Sequence, residues 1–198
     1  MLTLVIQAGG ESRRMGQDKA LMPFLGRPLI QRVLQRVNPL ADEVLVTTNH
    51  PELYGFLNLP LLPDLIPGRG ALGGLYTALQ SASQPLVAIV ACDMPFASQA
   101  LFALERDILL ATKADIAIAH SGNGLEPFHA VYRRATCLPP IEAALQAKKW
   151  RVDAWFSQVE MHILQPEEIR CIDPQLLCFR NVNTPEELKE AEQLATLI

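Results

Sequence analysis

The chain has 198 residues, 49% of them hydrophobic and 19% charged, which suits one globular domain with a substantial core. Its formal net charge of −4 argues against general nucleic-acid binding, and no apolar run approaches the roughly 18 residues of a membrane span. The amino terminus enters a strand directly, without a basic leader, so we expect a cytoplasmic protein that binds neither nucleic acid nor membrane.

Strand-like and helix-like segments alternate along the chain, which favours a mostly parallel sheet covered by helices. The sequence contains no repeat or linker, so residues 1–198 are expected to form a single domain. Strands are predicted at residues 2–7, 43–48, 86–91, 115–120, 128–133 and 179–182. Helices are predicted at residues 28–38, 72–82, 98–111 and 135–148 and from 184 onward, whereas residues 150–172 are left unassigned.

Local signals refine this outline. A turn cluster precedes the strand at 128–133, which makes that strand a candidate for antiparallel pairing with its predecessor. Pro139 and Pro140 are expected to break the fourth helix early. Thr184 is expected to cap the last helix, and Glu187 to close a capping box with it.

The segment after the first predicted strand carries the most information. Two adjacent glycines there let the backbone turn sharply and approach a ligand closely. Three cationic side chains follow within ten residues. A turn with free amide N–H groups beside three cations suits a triphosphate, whose negative charges all need partners. The residues concerned are Gly9, Gly10, Arg13, Arg14 and Lys19.

The alternative is an ordinary first turn, because any α/β protein can carry a glycine there and two common phosphate-binding patterns are absent from this turn. The charge distribution favours the phosphate site. Residues 1–40 hold six basic and two acidic side chains, a net charge of +4 that indicates a small anionic ligand. Arg32 and Arg36, four residues apart, are instead interpreted as solvating one face of a helix.

A second candidate for chemistry follows the strand at 86–91. Asp93 lies in the segment Cys92-Asp93-Met94-Pro95-Phe96, and α/β proteins bind ligands at the carboxyl edge of a parallel sheet. One carboxylate together with phosphate oxygens suits Mg²⁺. The alternative is a helix-capping role for Asp93, because Pro95 could start a helical turn.

The segment Gly68-Arg69-Gly70-Ala71-Leu72-Gly73 matches the pattern Gly-x-Gly-x-x-Gly, and Asp93 lies 20 residues after its last glycine. This is the spacing of a dinucleotide-binding fingerprint. In that fingerprint the first glycine follows the strand at once, whereas here residues 63–67 intervene. The two prolines in that stretch cannot belong to an interior strand. We therefore disfavour a dinucleotide site.

Residues 8–19 resemble the signature of the molybdenum cofactor guanylyltransferases, Ala-Gly-Gly-x-Ser-x-Arg-Met-Gly-x-Asp-Lys. Residues 67–74 and 92–96 are similar to that family's glycine-rich and Asp-containing segments, and residues 181–188 are similar to its ending Asn-x-Asn-Thr-Pro-Glu-Glu-Leu. The resemblance implies a three-layer α/β sandwich of the nucleotide-diphospho-sugar transferase type. Its central sheet would be mostly parallel and Rossmann-like, with helices on both sides.

The resemblance also implies a reaction, in which GMP passes from GTP to molybdenum-bound molybdopterin and pyrophosphate is released with the help of Mg²⁺. The attacking phosphate is already anionic, since its second pKa is about 6. Cations and oriented N–H groups therefore matter more than a general base. GTP and molybdopterin are the implied substrates, and the candidate protein partners are a molybdenum-insertion protein or the chaperone of a recipient molybdoenzyme.

Particular residues match the family's functional positions. Guanine offers two neighbouring donors, N1–H and the 2-amino group, and the carboxylate of Asp64 could accept both. Asn181 and Asn183 are implied to face the pterin. The implied catalytic residues are Arg14, Lys19 and Asp93, the last also as metal ligand. The implied nucleotide-binding residues are Gln7, Ala8, Gly9, Gly10, Lys19, Asn49, Asp64 and Asp93.

Two features leave alternatives open. Gln7 stands where the family usually has Leu, so its side chain either bonds the nucleotide or fills space. Residues 120–175 match least, which leaves the pocket for the second substrate undefined.

Two other functions are considered. The alternative enzymes are a cytidylyltransferase for the same pterin and a sugar-phosphate nucleotidyltransferase. Both are disfavoured by the pair Asp18-Lys19, because these enzymes usually have Pro-Lys at that place. A non-catalytic nucleotide-binding carrier is disfavoured by the intact set of Arg14, Lys19 and Asp93.

Overall fold

A seven-stranded sheet organises the computed structural model, which describes residues 1–8 and 18–197. The strands are β1 (Leu2–Gln7), β2 (Pro23–Phe24), β3 (Arg27–Pro28), β4 (Glu43–Thr47), β5 (Leu61–Leu62), β6 (Leu86–Ala91), β7 (Ile116–His120), β8 (Leu125–Arg133) and β9 (Met161–Leu164). The helices are α1 (Leu29–Val37), α2 (Gly70–Ser81), α3 (Gln99–Ala111), α4 (Arg134–Gln146), α5 (Pro166–Ile169) and α6 (Pro185–Ala195). Short 3₁₀ turns include Lys19–Leu21, Pro51–Leu53, Gly55–Leu57 and Leu177–Phe179.

The order of strands across the sheet is β5-β4-β1-β6-β8-β7-β9. The pairs β5–β4, β4–β1, β1–β6 and β7–β9 are parallel, whereas β8 is antiparallel to both β6 and β7. β2 and β3 form a separate hairpin. Because β8 runs in the reverse direction, its amino end lies at the same edge of the sheet as the carboxyl ends of β1, β4 and β6.

Helices cover both faces of the sheet. Buried apolar side chains of α1 and α3 pack on one face, and those of α2 and α4 pack on the other. A third cluster, which includes Phe24, Phe96, Val182 and Leu188, joins the small hairpin to α6. This three-layer arrangement confirms the predicted α/β class and its mostly parallel sheet. In the described ranges, no helix combines the length and the apolar character needed to cross a membrane.

The predicted strand at 179–182 is wrong. Residues 177–179 form a 3₁₀ turn instead, and the next residues pair with no strand. The Val182 N–H donates to the Asp93 carbonyl at 2.9 Å, so this segment bonds to a loop. Glu187 does not close a capping box: its carboxylate accepts from the Asn183 N–H at 2.6 Å, while Thr184 caps the helix as predicted.

Two prolines do not break α4, which is continuous from Arg134 to Gln146. The ring nitrogens of Pro139 and Pro140 leave the carbonyls of Ala135 and Thr136 without helical donors. Ala135 and Thr136 are exposed, so water can satisfy their carbonyls.

Other differences concern segments without clear periodicity. β9 lies in the stretch left unassigned, and β8 begins three residues earlier than predicted.

The interpretation of Arg32 and Arg36 as solvating residues is also wrong. Both are half-buried, and Arg36 Nε donates to the Ala97 carbonyl at 3.0 Å.

A buried polar pair lies between α3 and β8. Glu105 and His129 are both fully buried, with His129 Nδ1 3.8 Å from a Glu105 carboxylate oxygen. The His129 ring stacks on Phe102, and its Nε2 accepts from the Ser98 N–H at 3.1 Å. Within residues 1–8 and 18–197 neither carboxylate oxygen of Glu105 has a hydrogen-bond partner. Burial raises the pKa of Glu105 well above its usual range and lowers the pKa of His129 to about 3.

We predict that the free energy of unfolding of Glu105→Gln, minus that of wild type, becomes larger as the pH rises from 5 to 7. A carboxyl group whose pKa is raised by folding stabilises the protein below its unfolded pKa of 4.5, and this contribution is lost as pH rises. Glutamine does not titrate, so the difference between the proteins should grow by up to about 1.4 kcal/mol per pH unit. Urea denaturation at several pH values measures it.

The matched control is Glu160→Gln, because Glu160 is exposed. This control should show no growing difference from wild type. A difference that stays constant with pH for Glu105→Gln would mean that the buried carboxyl is ionised in the folded protein.

Candidate active site

A cavity of about 620 Å³ opens at the edge of the sheet where β1, β4 and β6 end. Its volume is that of a small-molecule site. Seven of the predicted site residues line it: Gln7, Ala8, Lys19, Asn49, Asp64, Asp93 and Asn181. Gly9, Gly10, Arg13 and Arg14 lie outside the described residues.

A lysine and an aspartate form an ion pair in this cavity. Lys19 Nζ lies 3.1 Å from Asp93 Oδ2, and the two side chains are 20% and 18% exposed. Lys19 Nζ also donates to Asn183 Oδ1 at 2.8 Å. Asn183, predicted to face the pterin, is therefore bonded to the lysine in this structure.

The residue before the lysine is held by two donors. Asp18 caps the 3₁₀ turn that begins at Lys19, with one carboxylate oxygen accepting from the Ala20 N–H at 3.0 Å. The other accepts from the hydroxyl of Tyr54, whose side chain is fully buried. Burial and the Asp18 carboxylate raise the pKa of Tyr54 above its usual range, so the phenol stays protonated and donates. These contacts fix the backbone from which Lys19 extends.

Asp93 is held by the backbone on both sides. It follows β6 in a turn where the Met94 N–H donates to the Ala91 carbonyl at 3.3 Å, and its own carbonyl accepts from Val182. Ser98, not Asp93, caps α3 by accepting from the Leu101 N–H at 3.2 Å. The capping alternative for Asp93 is thus excluded, and its carboxylate is directed to Lys19.

A second polar pair lies on the β4 side of the cavity. Asn49 Nδ2 donates to Asp64 Oδ2 at 2.9 Å, and the Asp64 N–H donates to Asn49 Oδ1 at 3.0 Å. These reciprocal bonds join the end of β4 to the loop before α2. Asp64 is half-buried and Asn49 is exposed.

The glycine-rich loop between β5 and α2 borders the cavity. Gly68 and Gly70 have φ values of +72° and +55°, which favour glycine, and α2 begins at Gly70. β5 ends at Leu62, and five residues separate it from Gly68, so the strand-to-glycine junction of a dinucleotide fingerprint is not formed. The amino terminus of α2 instead faces the cavity, where its N–H groups favour an anion.

Gln7 packs against α2. A Cβ at Gly74 would lie 3.2 Å from Gln7 Oε1, so a glycine lets the helix approach this side chain. Gln7 Nε2 is buried and has no hydrogen-bond partner among the described residues. The Ala8 N–H donates to the Thr47 carbonyl at 2.8 Å, so this N–H is not available to a ligand.

Two lining residues were missed by the sequence analysis. Glu126 and Phe128 lie on the amino half of β8 and border the cavity. The turn cluster before β8 indicated an antiparallel strand, but it contained no information about β6 as the neighbour of this strand. That adjacency is what brings Glu126 to the ligand edge.

Residues 4–160 match the MobA-like NTP transferase domain. The molybdenum cofactor guanylyltransferase of Desulfosudis oleivorans is 36% identical over 194 residues, covering 96% of this chain and 94% of that protein. A protein of Pelotomaculum thermopropionicum named probable molybdenum cofactor guanylyltransferase is 36% identical over 195 residues, covering 98% and 93%.

Solved structures share the fold. Molybdopterin-guanine dinucleotide biosynthesis protein A from Archaeoglobus fulgidus has a TM-score of 0.81 at 23% identity, covering 99% of this chain and 100% of that chain. The 4-diphosphocytidyl-2C-methyl-D-erythritol synthase from Anaerococcus prevotii has a TM-score of 0.71 at 13% identity, covering 98% of each. The structural neighbours alone show only the fold, whereas the domain match and the relatives above 30% identity identify the family. Those relatives match nearly the whole chain and are named molybdenum cofactor guanylyltransferases. The chain therefore belongs to the MobA-like NTP transferase family.

Proposed function

We propose that this chain transfers GMP from GTP to the phosphate of molybdenum-bound molybdopterin. An oxygen of the acceptor phosphate forms a bond to the α-phosphorus, the bond from that phosphorus to the β-phosphate oxygen breaks, and pyrophosphate leaves. The observation that carries the proposal, beside family membership, is the Lys19–Asp93 pair at the ligand edge of the sheet.

The chemistry needs charge compensation more than proton transfer. The acceptor phosphate is anionic at neutral pH, because its second pKa is about 6. None of the described residues that line the cavity is a histidine. Lys19 would neutralise the phosphates, together with Arg14 and the N–H groups of Gly9 and Gly10, which lie outside the described residues. Asn183 would position Lys19, to which it is bonded.

Asp93 is the residue that would hold a divalent ion. The described residues contain no group of three or more His, Cys, Asp or Glu side chains that could hold a metal. Mg²⁺ needs no such cage, because it takes one or two carboxylates and completes its shell with phosphate oxygens and water. Asp93 would therefore hold Mg²⁺ jointly with the nucleotide. When bound, the ion would neutralise charge that develops on the departing pyrophosphate.

The nucleotide would lie on the β4 side of the cavity. Asp64 would accept from N1–H and the 2-amino group of guanine, with Asn49 holding that carboxylate in place. The Gln7 amide is a buried donor that lacks a partner among the described residues, and it would donate to an acceptor atom of the nucleotide. Ala8 would contribute through its carbonyl or methyl group. Asn181 would face the acceptor.

The direct test is pyrophosphate release from GTP with Mg²⁺ and molybdopterin, using wild type and Asp93→Asn. We predict that Asp93→Asn lowers turnover by about 100-fold or more, because it removes the charge that would hold the metal and that pairs with Lys19. The control is Asp107→Asn, since Asp107 is exposed on α3 and away from the cavity.

The control should turn over like wild type. Wild-type turnover in Asp93→Asn would remove Asp93 from its proposed role. A wild-type protein that binds GTP but releases no pyrophosphate would favour the non-catalytic carrier.

Base selectivity is tested by calorimetry with GTP and CTP. We predict that wild type prefers GTP and that Asp64→Asn weakens GTP binding by about 10-fold or more, because two hydrogen bonds to a charged acceptor are replaced. CTP lacks this pair of neighbouring donors, so its weaker binding should be nearly the same in both proteins. Asp107→Asn serves again as the matched control, and a wild-type preference for CTP would instead support a cytidylyltransferase.

A further inference from the structure

Glu126 and Phe128 lie on the acceptor side of the ligand edge. The register pairs Val90 of β6 with His129 of β8. Glu126 lies three residues before His129, so it is level with Asp93, which lies three residues after Val90 in the segment that follows β6. Residues two apart on a strand share a face, and both Glu126 and Phe128 border the cavity.

The sheet order separates Glu126 from the Asn49–Asp64 pair. Those two residues follow β4 and β5, whereas Glu126 belongs to β8, and β1 and β6 lie between. β4 and β8 are three strand spacings apart, about 14 Å. Asp93 closely follows β6, and Lys19 pairs with Asp93, so both occupy the middle of this edge. The cavity therefore carries one carboxylate on each side of its charged centre.

The Glu126 carboxylate borders the cavity and is partly removed from water. It is half-buried, and burial raises its pKa; the Ser121 hydroxyl and His120 act in the opposite direction. His120 ends β7 and Ser121 follows it in the turn before β8, so these neighbours of the Glu126 carboxylate come from its own side of the sheet. Such a carboxylate would gain from a ligand that offers N–H groups and no negative charge.

Phe128 adds an aromatic surface. Its side chain is half-buried and packs against the apolar cluster on the α2–α4 face while bordering the cavity. A ring beside a carboxylate suits a flat heterocycle with neighbouring N–H donors at one edge. Guanine is such a ring, and so is the pterin, whose pyrimidinone half carries the same N–H and amino group.

We propose that Glu126 accepts hydrogen bonds from the ring N–H and the amino group of the pterin, with Phe128 packing on the ring. This inference rests on the proposed function and assigns the second-substrate pocket that the sequence left undefined. Asp64 and Glu126 then recognise the same donor edge on two different rings. The α-phosphate and the acceptor phosphate meet between them, at Lys19 and Asp93.

The test uses Glu126→Gln in the full chain, with the KM for molybdopterin, the Kd for GTP and the Mg²⁺ dependence measured separately. We predict that the KM for molybdopterin rises about 10- to 100-fold, because a charged acceptor is lost. The Kd for GTP and the Mg²⁺ dependence should stay unchanged. Glu160→Gln, an exposed glutamate outside the cavity, is the matched control and should behave like wild type.

Each other outcome has a defined meaning. A weaker Kd for GTP would place Glu126 on the nucleotide, and an altered Mg²⁺ dependence would make it a metal ligand; either overturns the inference. An unchanged KM for molybdopterin also overturns it. Failure of wild type to bind GTP or release pyrophosphate would overturn the proposed function instead, so the two failures are distinguishable.

A pair of inhibitors tests the donor edge itself. Pterin-6-carboxylate carries the amino group, whereas lumazine-6-carboxylate has an oxygen in its place. Against molybdopterin at saturating GTP, wild type should be inhibited more strongly by the pterin, and Glu126→Gln should discriminate less. Equal inhibition of wild type by both compounds would contradict the assignment. Phe128→Leu should weaken inhibition by both compounds, with the Kd for GTP unchanged.

Discussion

The ion pair between Lys19 and Asp93 is the contact on which the site depends. The two residues are 74 positions apart, and Asn183, which accepts from the same ammonium group, is 164 positions from the lysine. The pair lies in a cavity where its charges are largely removed from water, so their attraction is stronger than at the surface. Val182 adds a backbone bond to the Asp93 carbonyl. Three distant parts of the chain are therefore fixed around one charged centre.

The reversed direction of β8 is the second constraint. In a sheet of parallel strands only carboxyl ends reach the ligand edge, so every polar group there comes from a loop after a strand. An antiparallel strand next to β6 brings its amino end to that edge as well. Glu126 and Phe128 thus reach the cavity from the amino half of β8, which extends beyond the residues paired with β6 and pairs with β7 where Leu125 faces His120.

Local periodicity was enough to predict β1, β6 and most helices, because uniformly apolar strands and amphipathic helices reflect burial along a short segment. Asp93 and Lys19 could also be found, since each follows an apolar strand or a glycine turn. The segment at 179–182 was mispredicted because its hydrogen bond goes to a residue some 90 positions away, which no local pattern reports. Glu126 was missed for the same reason: its place depends on the neighbour of β8.

The ion pair also fits the demands of the proposed reaction. In this structure the charges of Lys19 and Asp93 compensate each other, so neither is left uncompensated in the cavity. A triphosphate with a divalent ion would bring charge of both signs, so in the proposed reaction binding would be an exchange of partners in which Asp93 would hold the ion and Lys19 the phosphates. Asn183 is neutral and can hold the lysine before and after the exchange. A set of cations without Asp93 would bind phosphate as well, but it would lack the carboxylate that holds the divalent ion in the proposed reaction.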